Sequence, residues 1–467
     1  MALVHLDSRR KSNSRKFRLS WPDANDARRA VVAKLLFTSY SEPVGYIADP
    51  HFVHVSSGDL ERHYHLPASV RPILQIPLEW NPLHLKVGDA ELFQYFQCTA
   101  SQSLAIFPHD SRDLGNVLVR IALTSNTKSG RAVLQSLLAF ASIHRHNVHS
   151  QAVELKLSAL KALACITGSH VGTEEAIQHV AAGMLLCSFE THQTSCTSGQ
   201  WTCYVDGVKD VIRASCLEAK ASQDGDLTIL LAWVNYHDVL KRFVRAHWPR
   251  QTPPDSPSAC AEVSLHGRYR ESSLTDSYAS PTPSPGLGTI ELLSEVCDAL
   301  AARPSTMAPT ESLDEYRSFL KILDWKIRNI EVTATADDGV NSLLMMEVYK
   351  LAVAVYLSRA SNNMLNQAAR TQVQVERGFS ILGQMSFCAR QFPVFILGCE
   401  ARRDDQRVTV LDLMSRTEEH VSSRSFNYVK AVLQAIWAQE DLANGEIKFG
   451  DKIRHVFGCC SDLPAFV

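Results

Sequence analysis

From Gly88 onward apolar residues recur every three or four positions, the spacing that gathers them on one side of an α-helix. Leu92, Phe96, Ser103, Leu104 and Phe107 begin the pattern, and Val133, Leu137, Leu138 and Ala141 continue it. Val153, Leu157, Leu160 and Leu163 repeat it across 148–166. Residues 174–192 place Ile177, Val180, Met184 and Cys187 on one stripe, with Glu174 and Glu175 in the first turn and Thr173 as the expected cap. A further helix is expected over 227–243. Helical periodicity resumes over 289–302, 312–330, 341–357, 363–390, 407–414 and 425–442. The helix at 341–357 is apolar almost all round, through Leu343, Leu344, Val348, Leu351 and Val355, which predicts a central position. Strand alternation and hairpin dipeptides are almost absent, so the fold class expected is all-α.

Two stretches break the pattern. Residues 23–87 lack helical periodicity and hold Pro43, Pro50, Pro67, Pro72, Pro77 and Pro82, which predicts a loop-rich segment with short strands around Tyr46 and across 52–55. Residues 251–288 contain six Pro and eight Ser. Such a composition buries too little apolar area to offset its ordering entropy, so a long disordered insertion is expected there. The chain is thus divided into a basic arm at 1–22, the loop-rich segment at 23–87, helical parts at 88–250 and 289–467, and the insertion between them.

Composition narrows the function classes. Among 467 residues, 47 basic side chains face 49 acidic ones, a net charge of −2, and 45% of residues are hydrophobic. This balance excludes a mainly disordered or fibrous chain and gives no global attraction to nucleic acid or to an anionic membrane. No apolar run approaches the ~18–20 residues of a spanning helix, so no membrane association is expected. The apolar pieces at 351–357 and 392–399 read as buried core. The opening MALVHLDSRRKSNSRKFR carries charge where a signal peptide would be apolar. Twelve cysteines, scattered and mostly within apolar segments such as those of Cys165, Cys187 and Cys399, read as reduced thiols of an intracellular protein.

Candidate chemistry is sparse. His144, His146 and His149 are spaced by two and three, which fits no helical metal face, and no carboxylate lies between them. Gly286 and Gly288 lack a third glycine and a preceding strand. Neither the Asp337–Asp338 pair nor the Asp404–Asp405 pair has a third acid at helical spacing. No phosphate-binding loop and no nucleophile elbow occurs, so no catalytic residue, metal ligand or enzyme activity is expected. The one electrostatic feature is Arg9, Arg10, Lys11, Arg15, Lys16 and Arg18, a run suited to nuclear import or to phosphate contact and otherwise a solvated tail.

Several stretches carry a resemblance. Residues 134–144, Leu-Gln-Ser-Leu-Leu-Ala-Phe-Ala-Ser-Ile-His, are similar to a core helix of fungal-specific transcription factor domains. Residues 185–190 with Trp201, Tyr204, Gly207 and Ile212 resemble that family's leucine helix, acid and Trp-x-x-His-x-x-Gly-Ala segment, with Tyr204 in place of His and Val208 in place of Ala. Residues 391–400, Gln-Phe-Pro-Val-Phe-Ile-Leu-Gly-Cys-Glu, resemble its late Trp-Pro-Leu-Phe-Ile-Ala-Gly-x-Glu motif, with Pro393 and Glu400 at the motif's Pro and Glu and Phe392 replacing Trp. Arg407, Val410 and Trp437 follow in the family's order. The residues themselves read as scaffold: Trp201 and Tyr204 share a helix face, Gly207 admits close helix approach, and Pro393 suits a helix's first turn after an extended Phe392.

The resemblance implies a fungal transcription regulator in the nucleus, controlling a metabolic or secondary-metabolite gene set through a helical regulatory domain. It implies other transcription proteins, or a second copy as a dimer, as partners. The family's DNA reader is a six-cysteine binuclear zinc cluster, and no cysteine precedes Cys98. No cofactor is therefore expected unless such a cluster lies upstream, and DNA binding by this chain alone is expected to be weak and non-specific. The alternative is a helical scaffold or small-molecule-binding protein that never touches DNA.

Overall fold

The computed structural model describes residues 87–467, apart from 105–110, 126, 148, 165–171, 193–198, 249–284, 305–309, 331–339, 421–425, 444 and 461–462, together with two short strands near the N-terminus. The strands, β1 (Leu3–Val4) and β2 (Leu19–Ser20), pair antiparallel with Leu3 opposite Ser20. They belong to a unit spanning 1–80, separate from the helical unit at 81–467. The rest of 1–86, including the strands expected around Tyr46 and across 52–55, and the insertion at 251–284 lie outside the described residues.

The helical unit is all-α among its described residues, as its periodicity predicts. Its first part holds α1 (Val87–Cys98), α2 (Ser111–Leu123), α3 (Lys128–His146), α4 (Ser150–Ala164), α5 (Thr173–Thr191), α6 (Trp201–Ala214), α7 (Leu217–Lys220) and α8 (Gly225–His247). Its second part holds α9 (Pro285–Ala301), α10 (Thr310–Asn329), α11 (Val340–Ala360), α12 (Ala368–Gln384), α13 (Gln391–Gly398), α14 (Asp404–His420), α15 (Asn427–Leu442) and α16 (Phe449–Gly458).

Two hydrophobic cores organise these helices. The first gathers Phe96, Leu118, Leu137, Phe140, Val180 and Leu185 from α1 to α5. The second is built around α11, whose Val348, Tyr349, Ala352, Val355 and Tyr356 pack among α9 to α16. One helix belongs to both. Leu227, Leu230 and Trp233 at the start of α8 enter the first core, and Val239, Leu240 and Phe243 further on enter the second. At ~1.5 Å per residue its 23 residues span about 34 Å, long enough to carry both. Asp224 fixes where it starts, its Oδ1 accepting from the Asp226 and Leu227 amides at 2.9 and 3.2 Å.

α11 is long and apolar enough to cross a bilayer by length and composition. Here its apolar surface is instead covered by neighbouring helices, which is the central position its all-round pattern predicts. Elsewhere the expected boundaries move. α9 begins at Pro285 rather than 289, because a proline at the first helical position sacrifices no hydrogen bond. The helix expected over 363–390 is only Ala368–Gln384. Asn362, Asn363 and Asn366 before it have φ of 55°, 58° and 53°, the left-handed region that Asn tolerates better than most residues. α14 runs well beyond the expected 407–414 at both ends. Thr173 does not cap α5: it is the first helical residue, after Gly172, and its hydroxyl accepts from Lys220 Nζ at 2.7 Å.

Candidate functional site

The most constrained locus in the second core is the C-terminal end of α13. All eight residues of this helix are buried. The extended residue before it is Arg390 (φ −97°, ψ 120°), so Phe392, expected to be extended, is already helical. Pro393 falls third in the helix, where its missing N–H would have had no intrahelical partner. At the other end, the carbonyls of Gly398 and of Cys399 and Ala401 just beyond it meet donors from three later helices. Trp437 Nε1 on α15 donates to the Gly398 carbonyl at 2.8 Å. Lys452 Nζ on α16 donates to the Cys399 carbonyl, and Arg407 Nε on α14 donates to that of Ala401 at 3.3 Å. Two of the three donors are cations, which also answer the partial negative charge of a helix C-terminus.

The side chains around this end are paired in turn. Glu400 is 5% exposed, and its Oε2 accepts from Arg359 Nε and Nη2 at 3.0 and 2.7 Å. Lys452 donates to Glu440 Oε1 at 2.8 Å. Arg407 forks onto Asp441 at 2.8 and 2.7 Å, holding that carboxyl below its usual range, and lies 5.6 Å from the Trp437 ring centroid. Burial pushes the Cys399 thiol well up, so it stays protonated. With its helix-end carbonyls and most of its charges paired and no ionised nucleophile, the motif reads as a mechanical joint rather than a reactive centre.

The motif at 201–212 forms α6. Trp201 is fully buried, and its Nε1 donates to the Leu463 carbonyl at 3.1 Å. It packs with Cys187 and Val205 in a small third cluster that Tyr204 and Ala465 complete. Burial, then the charges of Glu190 and neighbouring thiols, push the Tyr204 phenol up to about 12. The close helix approach expected at Gly207 does not occur, since a Cβ there would meet nothing within 4 Å. Gly183 on α5 supplies it instead: a Cβ there would lie 2.6 Å from Val208 Cγ2.

The remaining candidates divide cleanly. Arg9, Arg10, Lys11, Arg15, Lys16 and Arg18 lie outside the described residues, as do Asp337 and Asp338. His144 Nδ1 is hydrogen-bonded to Tyr95 Oη at 2.9 Å, while His146 and His149 stack on each other with centroids 5.6 Å apart. No group of three metal-capable side chains occurs among the described residues. Arg359, Lys452 and Gly183 were not legible as functional positions, because each matters through a residue far away in sequence. Gly398 had a signal, its place in the late motif: a Cβ there would lie 2.6 Å from Leu433 Cδ1, so the chain needs glycine where α15 crosses.

Residues 91–460 match the model of the fungal specific transcription factor domain. The chain is 41% identical over 399 residues to "Transcription factor iacI" of Pestalotiopsis fici, covering 85% of this chain and 100% of that protein. No solved structure matches.

Proposed function

The chain belongs to the fungal specific transcription factor domain family and is a fungal transcription regulator, and from this premise we propose that it controls a metabolic or secondary-metabolite gene set. The observation that carries the reading is the match along the entire length of a relative described as a transcription factor. Within this reading the helical unit is the regulatory part. It works in the nucleus through contacts with other transcription proteins or a second copy, and it catalyses no reaction.

The shape of the site supports a regulatory rather than chemical role. The late motif spends its polar groups on fixing helix ends, leaving rigid helix faces rather than a reactive cleft. DNA contact by this chain alone is assigned to the six basic residues between Arg9 and Arg18. Phosphate contacts of that kind position a protein on a duplex but read no sequence.

Transcript profiling after deletion of the gene tests the function. A coherent set of enzyme-encoding transcripts should fall or rise at least severalfold and return on complementation. An unchanged transcriptome under conditions where the protein is made overturns the reading.

A further inference from the structure

Single exposed apolar side chains are ordinary, but a row of them along one helix is not. α4 carries such a row. Of its 15 residues only Ala152 and Ala159 are fully buried, one above the other where the helix lies on α3. Leu155, Ala162 and Leu163 pack against the first core beside them. The opposite side presents Val153, Leu157, Leu160 and Ala164. Val153 is 40% exposed and Leu157 49%, Ala164 is exposed and Leu160 is half-buried. Val153 recurs as Leu160 and Leu157 recurs as Ala164, each one heptad on, which is the repeat that seats one helix along another.

Charge says which helix fits this seam. Glu154 follows Val153 and Lys161 follows Leu160, so both lie on the same edge of the row, and both are exposed. Among the described residues neither takes part in an ion pair. Lys156, on the other edge, is already paired with buried Glu190 of α5. A second α4 laid parallel would bring Lys156 of one copy toward Lys161 of the other, two like charges on facing edges. Laid antiparallel about a two-fold axis, Leu157 of each copy faces Leu160 of the other, Val153 faces Ala164, and Glu154 meets Lys161 twice. One acid and one base on a single edge thus complement an inverted copy of that edge.

We propose that the outer face of α4 is a two-fold contact between two copies of this chain, with the two helices antiparallel. The proposal rests on the reading of the helical unit as one that works through a second copy, and it names the surface. At ~1.5 Å per residue α4 is about 22 Å long, so the contact falls among the small, reversible interfaces and the amount of protein sets the share that is paired. A chain that stays monomeric sinks this surface while leaving the transcript test of gene regulation untouched.

Sedimentation equilibrium of the full chain, loaded from about 1 to about 200 µM, tests the contact. A monomer–dimer equilibrium with a Kd of about 10–100 µM is expected. Leu157→Glu should weaken it at least tenfold, because the seam would then bury two unpaired carboxylates. Glu154→Lys and Lys161→Glu each set like charges together at both ends and should each weaken it about fivefold, whereas Glu154→Lys/Lys161→Glu should restore the parent affinity. All four variants should keep the parent melting temperature, since the three side chains are exposed. A chain monomeric throughout, a dimer that Leu157→Glu leaves intact, or a double reversal no tighter than the single ones each overturns the proposal.

Discussion

Arg359 on α11 places two donors on one oxygen of Glu400, at 3.0 and 2.7 Å, although the residues lie 41 positions apart. The Glu400 side chain is 3% exposed and that of Arg359 14%, so neither charge can fall back on water. Removing one partner strands the other. Arg359→Met or Glu400→Gln alone should cost about 3 kcal/mol in denaturant unfolding, and the double variant Arg359→Met/Glu400→Leu should recover much of the loss. Single variants within about 0.5 kcal/mol of the parent would show the pair to be incidental.

Gly183, at the α5–α6 contact, and Gly207, away from it, make opposite predictions. Gly183→Ala drives a methyl to 2.6 Å from Val208 Cγ2 and should destabilise by about 1–3 kcal/mol, with Val208→Ala as a partial rescue. Gly207→Ala meets open space inside a helix and should stabilise by about 0.5–1 kcal/mol. Thermal melts of the four proteins decide both.

A pH dependence follows from His247, whose folded value of about 4 lies below the ordinary 6.5. Between these values the unfolded chain takes up a proton that the folded chain refuses, so stability falls as pH drops from 6.5 toward 4 and is unaffected by this group above that window. By pH 5 the loss amounts to about 2 kcal/mol. His247→Gln should therefore be less stable than the parent at pH 7, with the gap narrowing by about that amount at pH 5. A gap that stays constant across the range would place the titration elsewhere.

Replacing Arg9, Arg10, Lys11, Arg15, Lys16 and Arg18 with Ala should move a fluorescent fusion from nucleus to cytoplasm. The helical unit should keep its melting temperature, because the six belong to the unit at 1–80 rather than to the helical unit at 81–467. At 51.9 kDa the chain is too large to cross the nuclear pore quickly by diffusion. A sextuple variant that stays nuclear would assign import to another segment or a partner.

Limited proteolysis should cut first within 251–284, where the composition is least able to hold a packed structure. The two fragments should elute together from a sizing column. Core residues of α8 pack with those of α9 to α16, and Arg242 pairs with Asp298 across the insertion at 2.5 Å. Fragments that part in native buffer would refute a continuous body.

Sequence pattern was most informative where a helix buries all its sides. α11 was legible from Leu343 to Val355 because no polar stripe interrupts it. The bounds of α12 were not, since Asn363 and Asn366 fit a helical count while adopting left-handed backbone. After α12, Cys388 is instead held in place by the Thr417 hydroxyl, which accepts from its amide at 2.9 Å. The family motifs picked out Trp201, Pro393, Glu400 and Trp437, all of them buried positions. They could not reveal what those residues touch, because Leu463, Arg359 and Gly398 lie 262, 41 and 39 positions away and share no period with them. Gly207 was misjudged for the same reason: a glycine on a helix says nothing about which face a neighbour approaches.

The bond from Trp201 to Leu463 has a consequence for how the protein is made. The indole of α6 is synthesised 262 residues before the carbonyl that receives its N–H. At ~5–20 residues per second, the ribosome needs roughly 13–50 s to deliver that partner. Through that interval the first core can close, while Trp201 and its cluster face neither water comfortably nor their final neighbour. The nascent chain thus carries a timed vulnerability at one known place, where a chaperone has reason to bind and where a slow codon between the two residues would lengthen the exposure.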